Sequence, residues 1–264
     1  MEEGTAVRNV PVKRIAKFFL WLFAAIVGLI VVLAILLAVA DVIHWHNFRR
    51  DFLGGPEMKV FPTPLPDTSV VVAQGTTTLI QSGCTIDLPW PNVAVVQGRL
   101  ARLPDHRSVF FADPATATDE ASIFREVFRD SSFLSNYDFL SAKLNFDPSE
   151  LTALPWGRNH ERQVLFATAK ATMITTHKQE PIYSVALGKV RGFQYGDAKQ
   201  TNELIEVKMF DPKDRQFGLN IFSGNPDVPW KQAEINFITN SMRCDDAAYS
   251  VARNAWDSKL QRHR

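Results

Sequence analysis

An α+β protein with one N-terminal transmembrane helix, followed by an antiparallel sheet packed with helices, is what this sequence predicts. Three observations carry that expectation. Phe18 to Ala40 is an unbroken apolar run without a charged or amide side chain. The stretches from Thr76 to Ala112 and from Pro181 to Phe222 break into short β-rich segments between turn residues. Between and after them, apolar residues recur at helical spacing.

The apolar run comes first. At about 1.5 Å per residue it reaches roughly 35 Å, enough to cross a hydrocarbon core of about 30 Å with some tilt. Ala38-Val39-Ala40 has the small-x-small form of a signal-peptide cleavage site, but the run exceeds the about 7–15 residues of a signal-peptide core. A helix buried in a soluble core would normally keep a polar stripe, and this run has none. An uncleaved anchor at 18–40 is therefore the expectation. Lys13, Arg14 and Lys17 crowd its entry side while the exit opens with Asp41, so the positive-inside rule makes residues 1–17 a cytoplasmic tail and the rest extracytoplasmic. Trp21 and Trp45 suit an interfacial aromatic belt at the cell membrane.

Residues 41–75 read as a juxtamembrane collar and a Pro/Gly-rich linker. His44 and His46 are spaced i, i+2, so they point to opposite sides of a helix and do not make a metal pair. Gly54, Gly55, Pro56, Pro62, Pro64, Pro66 and Gly75 break helices and favour an extended spacer.

A single extracytoplasmic α+β domain is expected over 76–243. TTTLI and CTIDL flank Gln81-Ser82-Gly83 as a hairpin, and Val93 to Gln97 and Ser108 to Ala112 add strands. Thr116 with Asp119 forms a capping box for a helix from about Asp119 to Arg129. Asp147-Pro148-Ser149-Glu150 signals a second start, closed by Pro155. His160 to His177 reads as a helix facing inward through Leu165, Ala169 and Met173, although its Thr-rich end also suits a strand. PIYSVAL, KVRGFQYG, NELIEVKMF and RQFGLNIF then form a meander. Pro229 to Met242 closes it as a helix with a Trp230, Ala233, Phe237, Ile238 and Met242 stripe opposite Lys231, Gln232, Glu234 and Asn240. Residues 244–264 read as a helical tail with Tyr249, Val251, Ala252, Ala255, Trp256 and Leu260 to dock it, fraying being the alternative.

Three segments, GFQYGD (Gly192 to Asp197), EVKMFDPKDRQFGLNIF (Glu206 to Phe222) and QAEINFITNSMR (Gln232 to Arg243), resemble the closing strands and terminal helix of PsbP-like proteins and of membrane-anchored bacterial proteins of uncharacterised function. That resemblance, carried by Lys189 to Arg243, implies an α/β/α sandwich that binds or assists assembly rather than an enzyme.

Composition narrows the function classes without naming one. Lys plus Arg number 29 and Asp plus Glu 28, so no basic field points to nucleic acid. Cys84 and Cys244 both follow the anchor, where an oxidising compartment permits a disulfide; two separately buried thiols are the alternative. There is no G-x-S-x-G, S-x-x-K set, HExxH, C-x-x-C or EF-hand loop. Ser82-Gly83 and Ser223-Gly224 sit at turns, and Gly188, Gly192 and Gly196 lack phosphate-loop spacing. No catalytic, cofactor or metal residue is assigned. The expected role is a membrane-tethered binding or assembly-accessory domain with the bilayer and an envelope protein as partners. Two rivals remain: an envelope enzyme using scattered groups such as Asp87, His106 or His177, and a small-molecule or lipid binder. Trp90, Trp156, Phe193, Tyr195 and Trp230 are candidates either for a partner hot spot or for core capping.

Overall fold

The computed structural model describes residues 12–51, 56–128, 133–147, 151, 160–176, 181–199, 204–224 and 227–262. The cytoplasmic-tail expectation for 1–11, the helix start at 148–150 with its Pro155 stop, and His177 lie outside them. The chain divides into two units, Met1–Gly54 with Thr152–His160, and Gly55–Leu151 with Glu161–Arg264.

The first unit is dominated by α1 (Val12–Asp51), which overruns the apolar stretch at both ends. Ile26–Arg50 is long and apolar enough to cross a membrane, and none of its most apolar window is buried. Leu29 is 70% exposed and Leu36 60%. Within this unit Trp45 stacks on Phe48, their ring centroids 5.5 Å apart.

The second unit is built on two sheets. The larger joins β1 (Thr63–Pro64), β7 (Ile182–Leu187), β8 (Val190–Tyr195), β9 (Leu204–Phe210), β10 (Gln216–Phe222), β6 (Ser108–Phe111), β5 (Leu100–Arg102) and β4 (Ala94–Val96) in that spatial order. Every neighbouring pair is antiparallel except β1 with β7, so the sheet is mixed rather than purely antiparallel. The smaller sheet runs β11 (Arg243–Cys244), β3 (Cys84–Leu88), β2 (Thr77–Gln81). The expected first hairpin thus exists but belongs to a separate sheet. Its turn places Ser82 and Gly83 at φ 49° and 74°, the left-handed pair of a tight hairpin.

Strand alternation sorts the core into two faces. Ile205, Val207 and Met209 of β9 join Leu219 and Ile221 of β10, Ile86 of β3, and Ile235 and Ile238 of α5 (Gln232–Asn240). Phe193, Tyr195 and Phe210 point the other way, onto Leu140 and Leu144 of α3 (Asn136–Asn145). Phe124 of α2 (Glu120–Phe128), Phe133, Phe139 of α3 and Phe166 of α4 (His160–Thr176) form a cluster with centroids 5.1 to 5.7 Å apart, joining the three helices.

Several expectations need correction. The Pro-rich stretch is not a free spacer. Met58 and Leu65 are buried, β1 adds to the sheet edge, and Asn236 of α5 donates to the carbonyls of Asp67 and Ser69 at 2.8 Å each. Extended Pro-rich chain has no hydrogen bonds of its own, so its carbonyls are available to such a donor, and Pro is tolerated on an edge strand. Thr116 does not begin α2: it ends a 3-10 turn, Pro114–Thr116, capped by Asp113, and Asp119 caps α2 by accepting from the Ser122 N–H at 2.9 Å. The inward face of α4 carries Phe166, Ala167, Lys170 and Ala171, one residue out of register with Leu165 and Ala169. On α5, Glu234, expected outside, is buried together with Asn236 and Thr239 because polar partners wait for them. α6 (Asp246–Gln261) has no buried residue: Val251 is 71% exposed, and docking falls to half-buried Tyr249, Ala252, Arg253 and Trp256.

Candidate functional site

Where the β9–β10 turn meets the first turns of α2 and α3 and the side of α6, the second unit holds a cleft of about 420 Å³. Its lining includes Thr118, Asp119, Asn136, Lys213, Asp214, Arg215, Gln216, Tyr249, Arg253 and Asp257.

The floor is a turn organised by one carboxylate. Asp211 accepts the N–H groups of Lys213 and Arg215 at 2.9 and 3.0 Å, and the Arg215 Nε at 2.6 Å. The next aspartate then faces outward. Asp214 adopts φ 60°, a left-handed conformation that Asp tolerates better than most residues, and so directs its carboxylate at α3. There it accepts the N–H groups of Asn136 and Tyr137 at 2.6 and 3.1 Å, satisfying helix-start donors from a distant turn. Asn136 passes the connection on, since its Oδ1 accepts the Ala121 N–H at 3.0 Å and so joins the start of α2.

The α6 wall is held by a covalent and an ionic anchor. Cys84 of β3 and Cys244 of β11 stand opposite each other in the ladder and are joined as a disulfide. Asp245 then caps α6 by accepting the Ala248 N–H at 2.8 Å, and its own N–H donates to the Gly83 carbonyl at 2.9 Å. A Cβ on Gly83 would lie 2.5 Å from the Ala248 Cβ, so only glycine fits both that contact and the positive φ. Asp246 pairs with Lys213, and with Arg215 at 2.7 Å. Arg253 reaches across to the carbonyls of Ala115 and Ala117, and its Nε is 3.3 Å from Asp257.

These pairings set the local charge states. The ammonium of Lys213 and then the guanidinium of Arg215 hold the Asp246 carboxyl below the usual range. Burial works against the charge of Arg215, but its bonds to Asp211 and Asp246 outweigh burial and raise its pKa. Burial raises the Tyr249 phenol, so it stays a protonated donor at neutral pH.

The residues singled out by the sequence lie mostly elsewhere. Asp87 is engaged by Arg243 at 2.6 Å and by the Thr78 hydroxyl at 2.6 Å; these bonds outweigh its burial and lower its pKa. His106 is exposed at φ 71° in the β5–β6 turn, and among the described residues no hydrogen bond or ion pair links it to Asp87. Trp90 and Trp230 flank the buried Arg107, with centroids 5.2 and 4.6 Å from its guanidinium, while Phe193 and Tyr195 are buried beneath α3. Trp156 lies outside the described residues. Among the described residues no group of three His, Cys, Asp or Glu could hold a metal. Sequence reading missed Lys213, Arg215, Tyr249 and Arg253; the one local signal was the charge density of Asp211-Pro212-Lys213-Asp214-Arg215, which also suits an ordinary turn.

Comparison with known proteins finds no matching family model, curated protein or solved structure.

Proposed function

We propose that this chain is a single-pass membrane-tethered protein, N-terminus cytoplasmic, whose α+β domain works outside the cytoplasm as a binding or assembly-accessory module. The observation that carries the reading is Ile26–Arg50, a helix that leaves its apolar side chains exposed, as lipid but not water favours. Two further features support it. The Cys84–Cys244 disulfide suits an oxidising compartment, and the cluster of Lys13, Arg14 and Lys17 suits the cytoplasmic side. The PsbP-like sandwich belongs to the same proposal; a meander with a helix layer beyond each face supports it, and the additional three-stranded sheet departs from it.

Cross-linking in intact cells tests the proposal, with mass spectrometry of material purified through a C-terminal tag and an anchor-only chain as control. A partner recovered reproducibly, and only with the domain, is the expected result. Recovery of nothing beyond the control would count against an accessory role. Externally added protease that cuts the domain in intact spheroplasts, leaving the N-terminus protected, checks the orientation.

A further inference from the structure

The charges lining the cleft are answered within the protein. Lys213 and Arg215 are paired with Asp246, Arg215 also with Asp211, and Arg253 with Asp257. Asp214 is spent on the start of α3. Each cation of the walls, Lys213, Arg215 and Arg253, is thus matched by a carboxylate of the protein, and none is left over to select an anion. An apolar ligand fares no better, because it would strip water from these polar groups without replacing its hydrogen bonds.

Subtracting the internal bonds leaves a specific remainder. Among the described residues nothing engages the Tyr249 hydroxyl, the Gln216 amide, the Thr118 hydroxyl, or the second oxygens of Asp119 and Asp257. This set mixes donors with acceptors, carries free carboxylate oxygens suited to paired hydroxyls, and stands on walls held by helix caps, ion pairs and a disulfide. The space also lies within the usual range for a small-molecule site, about 300–1,000 Å³.

We propose that the cleft binds a neutral, hydroxyl-rich ligand, a short oligosaccharide, through Tyr249, Gln216 and the free oxygens of Asp119 and Asp257. Sugar hydroxyls donate to the two carboxylates and accept from the phenol and the amide. Thr118 at the rim adds a group that can do either. The proposal deepens the reading of the domain as a binding module and rests on it.

Calorimetric titration of the full chain tests it, in lipid nanodiscs so that no sugar-headed detergent competes. The probes are maltotriose and triacetylchitotriose, with inorganic phosphate as the charged comparator. One of the saccharides should bind saturably, with an affinity unchanged between about 50 and 500 mM salt, since a neutral ligand carries no charge to be screened. Tyr249→Phe and Gln216→Ala should each weaken binding about tenfold while leaving the melting temperature in place. Binding of neither saccharide overturns the proposal. So does binding that ignores both substitutions, or phosphate binding more tightly than either sugar and weakening as salt rises. If the saccharides fail while cross-linking recovers a partner, the ligand assignment falls and the tethered-module reading stands; the reverse result separates them the other way.

Discussion

Of the three cations buried among the described residues, Arg107, Lys143 and Lys170, the first and the last differ most in their surroundings. Arg107, 6% exposed, sits between Trp90 and Trp230, donates to Asp105 at 2.9 Å and to Glu234 at 2.8 Å, and so has its charge answered on several sides. Lys170, fully buried on α4, has the Phe146 carbonyl at 2.8 Å, the face of Phe61 at 3.7 Å and the charge of Asp147 to favour its ionised form. Burial outweighs that support and lowers its pKa from 10.5 to about 8. A planar guanidinium can meet two carboxylates and two rings at once, whereas an ammonium on a flexible stem gives up its hydration for less. Arg107 ties the β5–β6 turn to α5 as a structural joint, while Lys170 is a charge held at a cost.

The largest effect expected from breaking this contrast is at Arg107. Arg107→Met strands the buried carboxylate of Glu234 and should cost about 3–5 kcal/mol in chemical denaturation. Adding Glu234→Gln should recover part of the loss; a loss below about 1 kcal/mol for the single variant would place both charges effectively in water. Lys170→Met should act in the opposite direction, raising stability at neutral pH by about 1–3 kcal/mol, because an apolar chain of similar length replaces a costly charge.

The pH dependence of stability sharpens the same point. Below pH 8 Lys170 is protonated in both folded and unfolded chains and contributes no slope. Between about 8 and 10.5 the unfolded chain binds more protons, so this residue should make stability climb with pH, and Lys170→Met should remove that part of the climb. A variant whose profile overlays the wild type would show that Lys170 titrates normally. A smaller effect, about 1 kcal/mol, is expected for Asp214→Ala, which leaves the Ser135 cap of α3 in place but removes the acceptor of the Asn136 and Tyr137 N–H groups and should speed their amide exchange. Arg243→Ala should cost least, about 0–1 kcal/mol, since Arg243 is more than half exposed in its pair with Asp87.

Much of the architecture was legible because its signals are local. The alternation in LIEVKMF matches the buried Ile205, Val207 and Met209, and the Asp before α6 caps it. α3 escaped notice because its one clear signal, Ser135, precedes a stretch whose inward face includes Lys143, a residue that sequence patterning assigns to solvent. Lys143 is buried because Glu120, on another helix, pairs with it. The inward placement of Glu234, Asn236 and Thr239 was hidden for the same reason: burial follows from partners at Arg107, at Asp67 and Ser69, and within the helix. The cleft was illegible altogether, since Thr118, Asn136, Gln216 and Tyr249 come from four separate segments.

The sequence by itself determined the apolar N-terminal helix, the four-strand meander and the closing amphipathic helix, because each follows from hydrophobic period and from turn or cap residues within a short window. Only the tertiary structure decided that the Pro-rich stretch lies along the sheet edge, that Cys84 meets Cys244 across 160 residues, and which charges are buried. Those outcomes depend on hydrogen-bond and ionic partners contributed by distant segments, and no local period encodes where such partners will stand once the chain has folded.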